Sequence, residues 1–92
     1  MIKYEIQRTT QFKKDYKLAV KRGCDVSLLI EVIKILASGK QLPEDYMDHQ
    51  LGGNYSGYRE CHIQPDWLLI YKITKKILVL SLYRTGTHSD LF

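Results

Sequence analysis

Little in this chain marks a secreted, membrane-bound or multidomain protein. Its two cysteines, Cys24 and Cys61, cannot make a disulfide framework in 92 residues, so reduced, structural thiols are expected. No apolar run approaches the roughly 20 residues that span a bilayer. The N-terminus, MIKYEIQRTT, lacks the basic-then-apolar layout of a signal peptide, which predicts a cytoplasmic protein with no membrane contact. Repeats, linkers and low-complexity tracts are missing, and the length leaves no room for a second core. Residues 1–92 are therefore read as one domain. No Gly-rich phosphate loop and no Ser-His-Asp order is present, which removes two common catalytic schemes.

Hydrophobic residues make up 45% of the chain, with seven Tyr, one Trp and two Phe, a composition at odds with intrinsic disorder. Fourteen Lys and Arg against ten Asp and Glu give a net charge of +4, an excess that favours polyanions without proving that one is bound. Position is more informative than the total. Lys13, Lys14, Lys17, Lys21 and Arg22 crowd into one stretch whose only acid is Asp15.

Residues 2–8 alternate Ile2, Tyr4 and Ile6 with Lys3, Glu5 and Gln7, the period of a half-buried strand. Thr9 and Thr10 offer an N-cap to a helix in which Phe12, Tyr16, Ala19 and Val20 make one face and the lysines the other. Gly23 is placed to stop it. Asp25 or Ser27 can cap a second helix carrying Leu28, Leu29, Val32, Ile33, Ile35 and Leu36, and Gly39 ends that one. From Lys40 to Gly57 the chain is polar and rich in turn formers, which predicts a long irregular connection. Three strands follow, at 58–63, 67–73 and 77–84, joined by hairpin-sized turns. The order β-α-α-β-β-β predicts an α+β fold, with two N-terminal helices packed on one face of a mainly antiparallel four-stranded sheet.

The candidate chemistry lies at element boundaries. His49 falls in the long connection, His62 at a strand end and His88 just past the last strand. Imidazole titrates nearest neutral pH, so two histidines can take a proton from a ribose 2′-hydroxyl and return one to the departing 5′-oxygen, with no metal. Asp66, four residues after His62, can orient an imidazole, hold a third protonation site or simply make the turn at Pro65. Arg84 can cradle a phosphate and its extra transition-state charge, or close a strand-end salt bridge. Trp67, Tyr83 and Phe92 offer rings on which bases could stack, Phe92 with better prospects than Trp67 because a strand tryptophan is more often core. Three imidazoles and a carboxylate would suit zinc, but their spacing matches no compact ligand motif, so no metal and no cofactor is expected.

Four segments together carry a resemblance: Asp48-His49-Gln50-Leu51, Gly57 to Ile63 (GYRECHI), Pro65 to Tyr71 (PDWLLIY) and Arg84 to Phe92 (RTGTHSDLF). They resemble the YafQ family of the RelE superfamily, and the strand and two helices before them agree in length and order. The resemblance implies a type II toxin that cleaves mRNA in the ribosomal A site without a metal, leaving a 2′,3′-cyclic phosphate or its 3′-phosphate product. It places the catalytic histidines at His49, His62 and His88, the acid at Asp66, the phosphate-binding arginine at Arg84 and the C-terminal aromatic at Phe92. His88 is favoured as acid, and His49 or His62 as base. It also implies a DinJ-type ribbon-helix-helix antitoxin, with operator DNA bound only through the toxin–antitoxin complex. Lys13, Lys14, Lys17 and Lys21 are expected to meet ribosomal RNA or that acidic partner. A different function class stays open on the same residues: a non-catalytic RNA- or ribosome-binding protein that blocks translation by occupancy.

Overall fold

The structure, a computed structural model, describes residues 2–92. Strand β1 (Glu5–Arg8) leads into helices α1 (Thr10–Lys21) and α2 (Val26–Ala37). A connection containing the two-residue strand β2 (His49–Gln50) follows. Then come β3 (Arg59–Gln64), β4 (Trp67–Thr74), β5 (Val79–Gly86) and a final turn of helix, α3 (His88–Leu91).

The α+β architecture with both helices on one face stands as expected, but the sheet has five strands, in the order β1-β5-β4-β3-β2. The added strand is β2, which pairs antiparallel with β3 inside the segment expected to be irregular. Two residues are too few to show a period in sequence. β1 is the one parallel member, pairing with β5 from Glu5↔Val79 to Arg8↔Leu82. It is also an edge strand, and its alternation does not encode burial. Tyr4 is buried, whereas Ile2 is 71% exposed and Ile6 is at the surface. β5 begins at Val79 rather than 77, because Leu78 takes a left-handed conformation (φ 53°) that turns the chain.

Local chemistry explains the helix limits. Thr9 caps α1, its Oγ1 accepting from Phe12 N (2.9 Å) and donating to Tyr83 O (2.6 Å), so one side chain starts the helix and ties it to β5. After α1, Gly23 adopts φ +81°, which lets Cys24 N reach back to Ala19 O. Asp25 caps α2 by accepting from Ser27 N.

The main core fills the space between the helices and one sheet face. Phe12 and Ala19 from α1 and Leu29, Val32 and Leu36 from α2 meet Cys61, Leu69, Tyr71, Leu80 and Leu82. Burial pushes the Cys61 thiol up to about 12, which keeps it a neutral packing group. On the opposite face Leu68, Ile70 and Leu91 form a smaller cluster, against which Leu51, Tyr55, Tyr58 and Tyr83 pack while half-exposed. No helix among the described residues is long and apolar enough to cross a membrane.

Candidate active site

β3 and β4 put Glu60 opposite Ile70 and His62 opposite Leu68, so both side chains stand on the face away from α1 and α2. β2 brings His49 opposite Glu60. At the far end of β5 a capping box fixes α3: Thr87 Oγ1 accepts from Asp90 N, and the Asp90 carboxylate accepts from Thr87 N (2.9 Å). That box sets the place of His88. The three imidazoles then form a row, with ring centroids 6.3 Å apart for His49 and His62 and 5.8 Å for His62 and His88. The row is open to solvent and flanked by two hollows. One, of about 560 Å³, is lined by Asp66 and Arg84, and the other, of about 490 Å³, by His62.

Each ring is oriented through Nδ1. His49 Nδ1 donates to Met47 O (2.7 Å) and His62 Nδ1 to Pro65 O (3.3 Å), because a carbonyl only accepts. Both rings therefore present Nε2 to Glu60 Oε1, at 3.5 and 3.6 Å. The Glu60 carboxylate, buried in the sheet, thus lies between the two imidazoles and faces the Nε2 atom of each. His88 is held differently. Asp66 Oδ1 accepts from both its backbone N–H and its Nδ1, each at 2.9 Å, leaving Nε2 free. Those bonds hold the Asp66 carboxyl below its ordinary range.

One expected role needs correction, while the other candidates take definite places in the structure. Trp67 is not a stacking platform. It is 5% exposed, faces the helices, and donates from Nε1 to Thr85 Oγ1 (3.0 Å). Lys13, Lys14, Lys17 and Lys21 lie on the exposed side of α1, while Phe12, Asp15 and Ala19 face inward. The helical period thus carries the lysines to the outside of the layer that covers the opposite sheet face, away from the histidines. Arg84 shows the salt-bridge arrangement. Its Nε and Nη2 donate to the two oxygens of buried Asp15 (3.1 and 3.0 Å), which also accepts from Gln11 and from Thr85 N. The Asp15 carboxylate raises the Arg84 pKa. Phe92 is 60% exposed, 6.3 Å from the His88 ring, as a terminal aromatic beside the row.

Sequence reasoning missed Glu60. The available signal was its two-residue offset from His62 in a strand, which places both on one face. It also missed Asp15 as the partner of Arg84, although Asp15 is the one acid in the basic stretch. Glu60, His62 and His88 each bring a possible ligand atom within 4.8 Å of the others, a spacing that could hold a metal ion.

A family model described as "Bacterial toxin of type II toxin-antitoxin system, YafQ" matches residues 4–92. The mRNA interferase toxin YafQ of Escherichia coli (strain K12) is 45% identical over 93 residues, covering all of this chain and 99% of its own length. The toxin in the crystal structure of the E. coli DinJ-YafQ toxin-antitoxin complex superposes with a TM-score of 0.90 at 43% identity, over 99% of each chain. A metal-bound toxin from Helicobacter pylori has the same TM-score and identity over 100% of each chain.

Proposed function

Because the chain belongs to the YafQ family of bacterial toxins of type II toxin–antitoxin systems, we propose that its histidine row is the active centre of an endoribonuclease that cleaves mRNA. The observation that carries this reading is the Asp66–His88 pair, 2.9 Å long, standing beside His62 and the Glu60 carboxylate in solvent-open space.

The steps balance without a metal. Nε2 of His49 or His62 takes the proton of a ribose 2′-hydroxyl, and O2′ attacks the adjacent phosphorus. As the P–O5′ bond breaks, His88 gives its proton to O5′, leaving a 2′,3′-cyclic phosphate and a 5′-hydroxyl. Asp66 suits His88 to the acid role by holding Nδ1, which turns Nε2 outward to the leaving oxygen. Water then opens the cyclic ester to a 3′-phosphate with the proton transfers reversed. Arg84, fixed by Asp15 through Nε and Nη2 and with the Tyr55 hydroxyl also beside its guanidinium, would turn a terminal nitrogen to a phosphate oxygen. Phe92 is placed for a flanking base.

The cleavage is proposed to take place on mRNA in the ribosomal A site, in the cytoplasm. A DinJ-type antitoxin is the neutralising partner, as in the E. coli complex, and operator DNA is reached only through that complex. The spacing of Glu60, His62 and His88, together with the metal-bound H. pylori relative, supports inhibition by a divalent transition metal, which would occupy the lone pairs that move protons. Mapping RNA ends after induction without antitoxin tests the main reading: new 5′-hydroxyl ends are expected in mRNA. Growth arrest with no new ends would instead establish translation block by occupancy.

A further inference from the structure

We propose that the open sheet face binds the RNA strand beyond the cut, carrying it along the strands over Tyr55, Tyr83 and Tyr58 into a lysine-lined groove at their other end. This rests on the histidine row being the catalytic centre.

The aromatic path is continuous. Phe92, beside His88, meets the Tyr55 ring at 5.3 Å, Tyr55 meets Tyr83 at 6.0 Å, and Tyr83 stacks on Tyr58 at 4.6 Å. All three tyrosines are half-exposed, in the small cluster that covers this face incompletely. Lys72 Nζ lies over the Tyr58 ring, 5.7 Å from its centroid. Lys72 is exposed, and a lysine resting on an exposed ring is easily moved aside. A base can take its place while the ammonium turns to the phosphate.

Beyond Tyr58 the chain forms a groove of about 890 Å³ lined by Lys3, Lys40, Lys75, Arg59 and Asp48. Asp48 accepts from Arg59 Nε (3.2 Å) and from the Tyr71 hydroxyl (2.7 Å), so its charge is engaged. Among the described residues no ion pair engages Lys3, Lys40 or Lys75, all three exposed. A groove with three ammonium groups outside any of these ion pairs, Lys3 resting 5.5 Å from the Tyr4 ring centroid, and entered across aromatic rings, suits a single strand: the rings take bases without regard to sequence and the lysines track phosphates.

The test measures anisotropy of labelled 2′-O-methyl oligoribonucleotides, which cannot be cleaved, two nucleotides or about ten nucleotides long. Wild type should bind the long probe better than the short one. K3Q/K40Q/K75Q should lose that advantage, and its log–log salt dependence should be shallower by about 2, since each single-strand phosphate contact contributes about 0.7. Tyr58→Ala should weaken the long probe about 5- to 100-fold, and Tyr58→Phe should restore it, separating stacking from any loss of fold. Lys34→Gln, on α2, controls for net charge. Equal binding of both probes by wild type, an unchanged salt slope in the lysine variant, or failure of Tyr58→Phe to restore binding would each overturn the track. So would lysine variants that bind RNA normally but lose the antitoxin. Failure of the parent reading shows separately, as His88→Ala protein that still generates RNA ends.

Discussion

Leu69 and Tyr71 on β4 point to the two helices, while Leu68 and Ile70, alternating with them, point the other way. One face is closed by twelve-residue helices and packed with aliphatic side chains. The other is closed only by part of the connection between α2 and β3 and by a single helical turn, and it carries the histidines, Glu60 and three half-exposed tyrosines. Changes on the covered face should therefore act through stability. Changes on the open face should act through chemistry, and Arg84, bonded to Asp15 of α1, should do both.

The largest effect should come from the open face. His88→Ala removes the proposed acid and should lower RNA cleavage about 10²- to 10⁴-fold with the melting temperature nearly unchanged. Cleavage and thermal unfolding measured on the same protein would break the comparison if both fell together. Next comes Arg84→Ala, which strands the buried Asp15 carboxylate and should cost about 3–5 kcal/mol in denaturant unfolding. That variant is thus a poor probe of phosphate binding alone. Adding Asp15→Asn should recover part of the loss, and no recovery would mean the pair is not coupled. On the covered face, Leu82→Ala should cost about 2–5 kcal/mol. The residual folded fraction should keep its cleavage rate.

The smallest effect is a pH dependence. Hydrogen bonds from Arg22, and then from Thr87 N, hold the Asp90 carboxyl well below its usual range. A depressed carboxyl stabilises the folded state above its ordinary pKa, and that contribution disappears as pH falls through the lowered value. Asp90→Asn should therefore be less stable than the parent at neutral pH, and the gap should close in strong acid. A gap independent of pH would show that the carboxylate's charge does not act there.

The covered face was the legible one. Phe12, Ala19, Leu29, Val32 and Leu36 follow the helical period and are buried as that period requires, whereas Val20 and Leu28, expected on the same faces, are exposed; the capping Thr9 and stopping Gly23 act where their chemistry predicts. The run from Trp67 to Tyr71 is buried on both sides of the sheet, so it names a strand but gives no face. β2 was illegible because its pairing is set by β3 rather than by its own two residues. Leu78 was illegible because a left-handed leucine breaks the usual turn preference. The histidines and Asp66 were found as residue types. Glu60 and the Asp15–Arg84 contact depend on register and on a helix crossing sixty-nine positions in sequence, which no local pattern records.

Strand β1 has one neighbour, β5, and that neighbour is made roughly seventy residues after it. β1 must wait for β5 before it has a hydrogen-bonding partner, and α1 is tied through Thr9 to the same strand. Contacts this distant close slowly and nearly at once. A chain still lacking β5 and α3 has neither a finished sheet nor His88 beside His62, so the histidine row is assembled only by the latest of these elements.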